Sequence, residues 1–78
     1  MTANNLDVVR AAVAKVMDLP IDILVGSTPF EDIGVDSIAR IVMVDAILEV
    51  QPNWQIPAET IKYSKTIAEF ATGIKAEI

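Results

Sequence analysis

Phe30-Glu31-Asp32-Ile33-Gly34-Val35-Asp36-Ser37-Ile38-Ala39-Arg40-Ile41-Val42-Met43-Val44 joins a punctuated segment to a strongly apolar one. Gly34 marks a turn, and Asp36 and Ser37 are both favoured where helices begin. A second helix is therefore predicted from near Asp36 to about Val50, ended by Gln51-Pro52-Asn53. An Asp-Ser pair leaves open what the serine is for. If Ser37 caps the helix, its hydroxyl needs no further role. If Asp36 caps the amides near Ile38 and Ala39, the Ser37 hydroxyl falls in the first turn, directed to solvent and not required by the backbone. A phosphate esterified there would meet the positive end of the helix dipole, a stabilisation of about 0.3–1 kcal/mol at an exposed surface.

Upstream, Leu6, Val9, Val13, Val16 and Met17 recur at helical spacing until Pro20 stops the pattern, which defines helix one. The connection from Asp18 to Asp36 carries Pro20, Gly26, Ser27, Pro29 and Gly34, yet also Ile21, Ile23, Leu24, Val25, Phe30 and Ile33. So apolar a loop is expected to pack against the helices, and its length marks it as ordered or functional. Downstream of Ile56, Pro57 is expected at the first position of a short helix through Ala58-Glu59-Thr60-Ile61-Lys62-Tyr63. Thr66-Ile67-Ala68-Glu69 matches a capping box and starts a last helix through Phe70, Ala71 and Ile74. No alternating run is long enough for a strand, so the fold class is all-α, four helices in a single domain over residues 1–78.

Composition restricts the chemistry. The chain has neither cysteine nor histidine, which removes thiolate metal sites, most zinc sites and the commonest nucleophile–base pairs. We read no enzyme here. Glu31, Asp32 and Asp36 are better suited to complementing a helix start than to holding a divalent cation, so no metal is expected. A Ser64-Lys65 base arrangement would need a buried lysine that nothing in the sequence suggests. A net charge of −5 disfavours nucleic acid and fits basic protein partners. No apolar stretch reaches the ~20 residues of a membrane span, and no signal core follows Met1. The expectation is a free-standing, monomeric, cytoplasmic protein.

The run Phe30 to Ile38 resembles the motif of acyl carrier proteins and related thiolation domains, a hydrophobic residue followed by Gly-x-Asp-Ser and a further apolar residue. The long apolar loop, the apolar helix after the serine, Ile56-Pro57, the short third helix and Thr66-Ile67 follow in the family's order over nearly the whole chain. The resemblance implies a four-helix bundle of acyl-carrier type with a short third helix and a long ordered loop between helices one and two. It implies that Ser37, preceded by Asp36, receives a 4′-phosphopantetheine arm from a phosphopantetheinyl transferase. The arm's thiol then carries an acyl or aminoacyl group as a thioester, which also accounts for a chain without cysteine. Implied partners are acyl- or aminoacyl-loading enzymes and ketosynthase, condensation or acyltransferase enzymes.

Helix two carries two apolar stripes at 100° per residue. Met43, Val44 and Ile47 form one. Ile38, Val42, Asp45 and Glu49 form the other, near the serine, and match the family's partner-facing side. The alternative is that Ile38 and Val42 are core and the two acids a solvated edge. Fatty-acid carriers usually show Leu after the serine and more acids along this helix. Ile38, Ala39, Arg40, Val42 and Leu48 thin that acidic face and favour a specialised polyketide, nonribosomal peptide or fatty-acid-like pathway. Arg40 lies on the side of Met43 and Ile47 and must snorkel outward or pair with an acid. Trp54 is read as packing over one end of the bundle. The rival function is an unmodified helical interaction module that keeps the carrier fold; an enzyme using Ser37 as nucleophile ranks third.

Overall fold

The computed structural model describes residues 4–75. The described residues form four α-helices: α1 (Asn5–Met17), α2 (Ser37–Val50), α3 (Ala58–Tyr63) and α4 (Ile67–Gly73). The described residues contain no strand, only isolated antiparallel bridges at Pro29–Thr66 and Gln55–Lys75. This is the all-α bundle expected, and no helix in it is long and apolar enough to cross a membrane.

Local chemistry sets the limits of α1. The Asn4 side chain accepts hydrogen bonds from the amides of Leu6 and Asp7 at 2.8 and 3.4 Å, satisfying two of the donors a helix start leaves free. At the other end Asp18 turns left-handed (φ 54°), and the Leu19 amide reaches back to the Ala14 carbonyl at 3.0 Å. This bond across the left-handed residue closes the helix. The chain has thus left the helix before Pro20, which only bars its resumption.

α1 packs against both α2 and α4. Val9 and Val13 of α1, Met43 and Ile47 of α2, and Ile67 and Phe70 of α4 are fully buried where these helices meet. Leu24 and Phe30 of the loop join them. The rings of Phe30 and Phe70 meet edge to face, with centroids 6.0 Å apart, the arrangement their quadrupoles favour. Trp54 is buried as expected. Beside it, Gln55 and Lys75 exchange two 2.8 Å backbone bonds that tie the α2–α3 linker to the end of α4.

The long connection contains two 3₁₀ turns, Ile21–Ile23 and Phe30–Ile33. Only part of it packs as expected. Leu24 and Phe30 are buried and Ile33 half-buried, but Ile21, Ile23 and Val25 are exposed. The reason is polar. Arg10 of α1 reaches under the first turn, its Nε donating to the Leu24 carbonyl and Nη2 to the Ile21 carbonyl at 3.2 Å. These two bonds tie the first turn to α1 through its backbone carbonyls, with Ile21, Ile23 and Val25 left outside.

The second half of the loop is stitched to α4. The Phe30 amide donates to the Lys65 carbonyl (2.9 Å), Ile67 to Thr28 (3.2 Å) and Ala68 to Gly26 (2.8 Å). Gly26 suits this close approach: a β-carbon there would lie 3.3 Å from that of Ala68, a contact tighter than most, so a neighbour would have to give by a few tenths of an ångström. Thr66 Oγ1 accepts from the Glu69 amide at 3.1 Å. The Glu69 carboxylate reaches past Thr66 to the Lys65 amide (2.9 Å), one residue further out than a capping box places it. Pro57 stands just before α3 rather than at its first turn.

Candidate functional site

The turn ahead of α2 is anchored at both ends. Phe30 and Val35 are buried, and the Val35 amide donates to the Phe30 carbonyl at 3.1 Å. Between them Gly34 has φ 75°, a left-handed conformation that residues with a β-carbon adopt at a cost. With Val35 turned inward, the chain comes to the surface at Asp36.

Asp36 caps α2: its carboxylate accepts from the Ala39 amide at 2.8 Å. Ala39 alone is held this way; Ile38 is not. Ser37 is the first residue of α2 and is exposed. Its hydroxyl makes no hydrogen bond among the described residues. The cap is thus Asp36, and Ser37 Oγ is left to solvent.

Beside Ser37 a groove of about 300 Å³ runs between α2 and α3, lined by Val35, Asp36, Ser37, Arg40, Ile41, Ile61 and Lys62. Among the described residues Arg40 pairs with no acid, and it is half-buried rather than reaching freely into water. Its Cζ lies 4.8 Å from the centroid of the Phe30 ring, and Nη1 donates to the Ile61 carbonyl at 3.0 Å. One side chain thereby joins the loop, α2 and α3. Ile41 and Ile61 were not singled out from the sequence, although Ile41 stands four residues after Ser37 and so on its face of the helix.

The two stripes of α2 separate cleanly. Met43 and Ile47 are 0% exposed, whereas Ile38 is 70% and Val42 45% exposed. Asp45 and Glu49 are exposed beside them. Ile41 and Val50, also exposed, widen this apolar surface beyond the four residues expected. Glu49 lies 3.7 Å from Lys15 of α1, an exposed pair of small energetic weight.

Elsewhere Glu31, Asp32 and Asp36 do not gather into a cage; the described residues hold no group of three side chains able to bind a metal ion. The Ser64 hydroxyl is buried and donates to the Thr60 carbonyl at 2.6 Å, while Lys65 is exposed. These two do not form a nucleophile–base pair.

The family described as the phosphopantetheine attachment site matches residues 7–74. The chain therefore belongs to the acyl carrier and thiolation domain family, in which the domain is the site of covalent 4′-phosphopantetheine attachment. No curated protein and no solved structure matches the chain. The start of α2 fits the group: an exposed hydroxyl that no protein acceptor claims, at the amino end of a 14-residue helix, beside an open groove with apolar walls.

Proposed function

We propose that Ser37 is the residue that carries the arm, and that the chain presents acyl or aminoacyl cargo to partner enzymes of a specialised polyketide, nonribosomal peptide or fatty-acid-like pathway. What supports this most is the division of labour at one helix start: Asp36 supplies the cap, so the exposed Ser37 hydroxyl is not needed for folding. On attachment, Ser37 Oγ would form the phosphoester bond to the pantetheine-side phosphorus of coenzyme A as that phosphorus loses its pyrophosphate P–O bond and adenosine 3′,5′-bisphosphate leaves, and the serine would give up its proton. A base of the phosphopantetheinyl transferase accepts it, since this chain has no histidine or cysteine. The group supplies, when bound, the terminal thiol on which cargo is held as a thioester. Asp36 keeps the turn in register, and the Phe30–Val35 anchor fixes where the hydroxyl stands.

Ile38, Val42, Asp45 and Glu49 are the surface offered to the transferase and to loading, ketosynthase, condensation or acyltransferase partners. The pathway assignment rests on charge. α2 has only two acids, Asp45 and Glu49, against four exposed apolar side chains, Ile38, Ile41, Val42 and Val50. A partner with an apolar contact and few basic residues suits such a face.

Incubation with coenzyme A and a broad-specificity phosphopantetheinyl transferase tests the attachment. The expected result is a mass gain of one arm, lost in Ser37→Ala. No gain would favour an unmodified interaction module, and acylation of Ser37 without coenzyme A an enzyme.

A further inference from the structure

We infer that Arg40 and Lys62 form the seat for the arm's phosphodiester, holding its negative charge at the groove between α2 and α3. This rests on Ser37 as the attachment residue. Arg40 follows Ser37 by three positions on α2, where side chains are surface neighbours. Long side chains on a helix lean toward its amino end, which brings the guanidinium over the turn that holds Ser37. Both residues line the same groove, and Lys62 enters it from α3.

Arg40 is held in place before any anion arrives. The cation–π contact with Phe30 and the bond to the Ile61 carbonyl hold the guanidinium at the groove, and Phe30 is itself packed edge to face on Phe70. Nη1 is the only guanidinium nitrogen with a hydrogen bond among the described residues, which leaves donors on Nε and Nη2 for a phosphate. A half-buried guanidinium with no carboxylate partner among the described residues is incompletely compensated, and an external anion supplies what these residues do not. Lys62 is exposed and likewise enters no ion pair among the described residues.

The charge balance agrees. Two cations against the single carboxylate of Asp36 leave the groove lining one positive charge in a chain whose net charge is −5. Asp36 is turned to the Ala39 amide. A phosphodiester carries one negative charge and neutralises the groove. The arm would then leave Ser37 with its first segment directed along the groove, toward Ile41 and Ile61.

The chain contains only two arginines, so Arg10 on α1 is an internal control. Isotope-labelled protein is compared before and after loading, with complete loading confirmed by mass. The expected result is a displaced Arg40 Nε–H resonance with proton exchange slowed several-fold, while Arg10 is unchanged. Lys62 should shift likewise and Lys15, Lys65 and Lys75 should not. Added salt should reverse part of the effect. In Lys62→Met, which alters an exposed side chain, the Arg40 response should persist and the loaded arm's phosphorus resonance should narrow. Arg40→Lys, which keeps the charge but loses the planar fork, should narrow it too. Equal behaviour of Arg40 and Arg10 in fully loaded protein overturns the inference and leaves Ser37 standing. Absence of a mass gain overturns both.

Discussion

The starts of α2 and α4 solve the same problem in opposite ways. Each helix opens with amides that its own turns cannot satisfy. At α4 the rest of the molecule supplies the acceptors: Ile67 bonds to Thr28, Ala68 to Gly26 and Glu69 to Thr66. At α2 only Ala39 is taken, by Asp36, and the first residue, Ser37, stands at the surface. One start is closed by tertiary structure and the other is left open. The difference teaches that a hydroxyl at a helix start is left free when its neighbour takes over the capping, as Asp36 does for Ser37.

Substitutions at the two starts should therefore separate function from stability. The largest effect expected is complete loss of arm attachment in Ser37→Ala, read by mass spectrometry, with the unfolding midpoint near that of the parent. Gly26→Val at the closed start should do the reverse. Crowding Ala68 and Leu6 should cost about 1–3 kcal/mol in denaturant unfolding, with the remaining folded protein still accepting the arm. The caps make a finer comparison. Thr66→Ala and Asp36→Ala should each lose about 1 kcal/mol, but only Asp36→Ala should slow loading, because only that cap sets the turn holding Ser37. Smallest in stability are Ile38→Ala and Val42→Ala, both expected within about 0.5 kcal/mol of the parent. Their effect should instead be seen in a reduced rate of cargo transfer with purified partner enzymes. Equal losses of stability at Val42 and Met43 would show that the two stripes of α2 are not the separate faces drawn here.

Much of this architecture is legible in the residues themselves. Helical periodicity places α1 and α2, Asp36 and Thr66 declare themselves as caps, and Gly34 marks the turn, because each depends on interactions within a few residues. The loop is harder. Its apolar side chains have no repeat to say which face inward, and the carbonyls of Leu24 and Ile21 are held by Arg10 from another helix, a contact that no local pattern announces. Arg40 shows the same limit: neither of the roles its position suggests anticipates a phenylalanine ring and a backbone carbonyl as its partners. The periodicity of α2 offered two apolar stripes without ranking them. Burial of Met43 and Ile47 does so, and adds Ile41 and Val50 to the exposed side. The family resemblance, in contrast, is carried by one short stretch, and the family match over residues 7–74 agrees with it.

The Phe30–Lys65 bond joins segments nearly half the chain apart. A nascent polypeptide halted before Lys65 has no acceptor for that amide, and the turn preceding Ser37 lacks its distal brace. Closing so long a circuit is entropically slow and all-or-none. Competence for modification should consequently arise only once the segment carrying Lys65 has been made and has folded back onto the loop, so that acceptance of the arm reports on a pairing formed far along the chain from the serine.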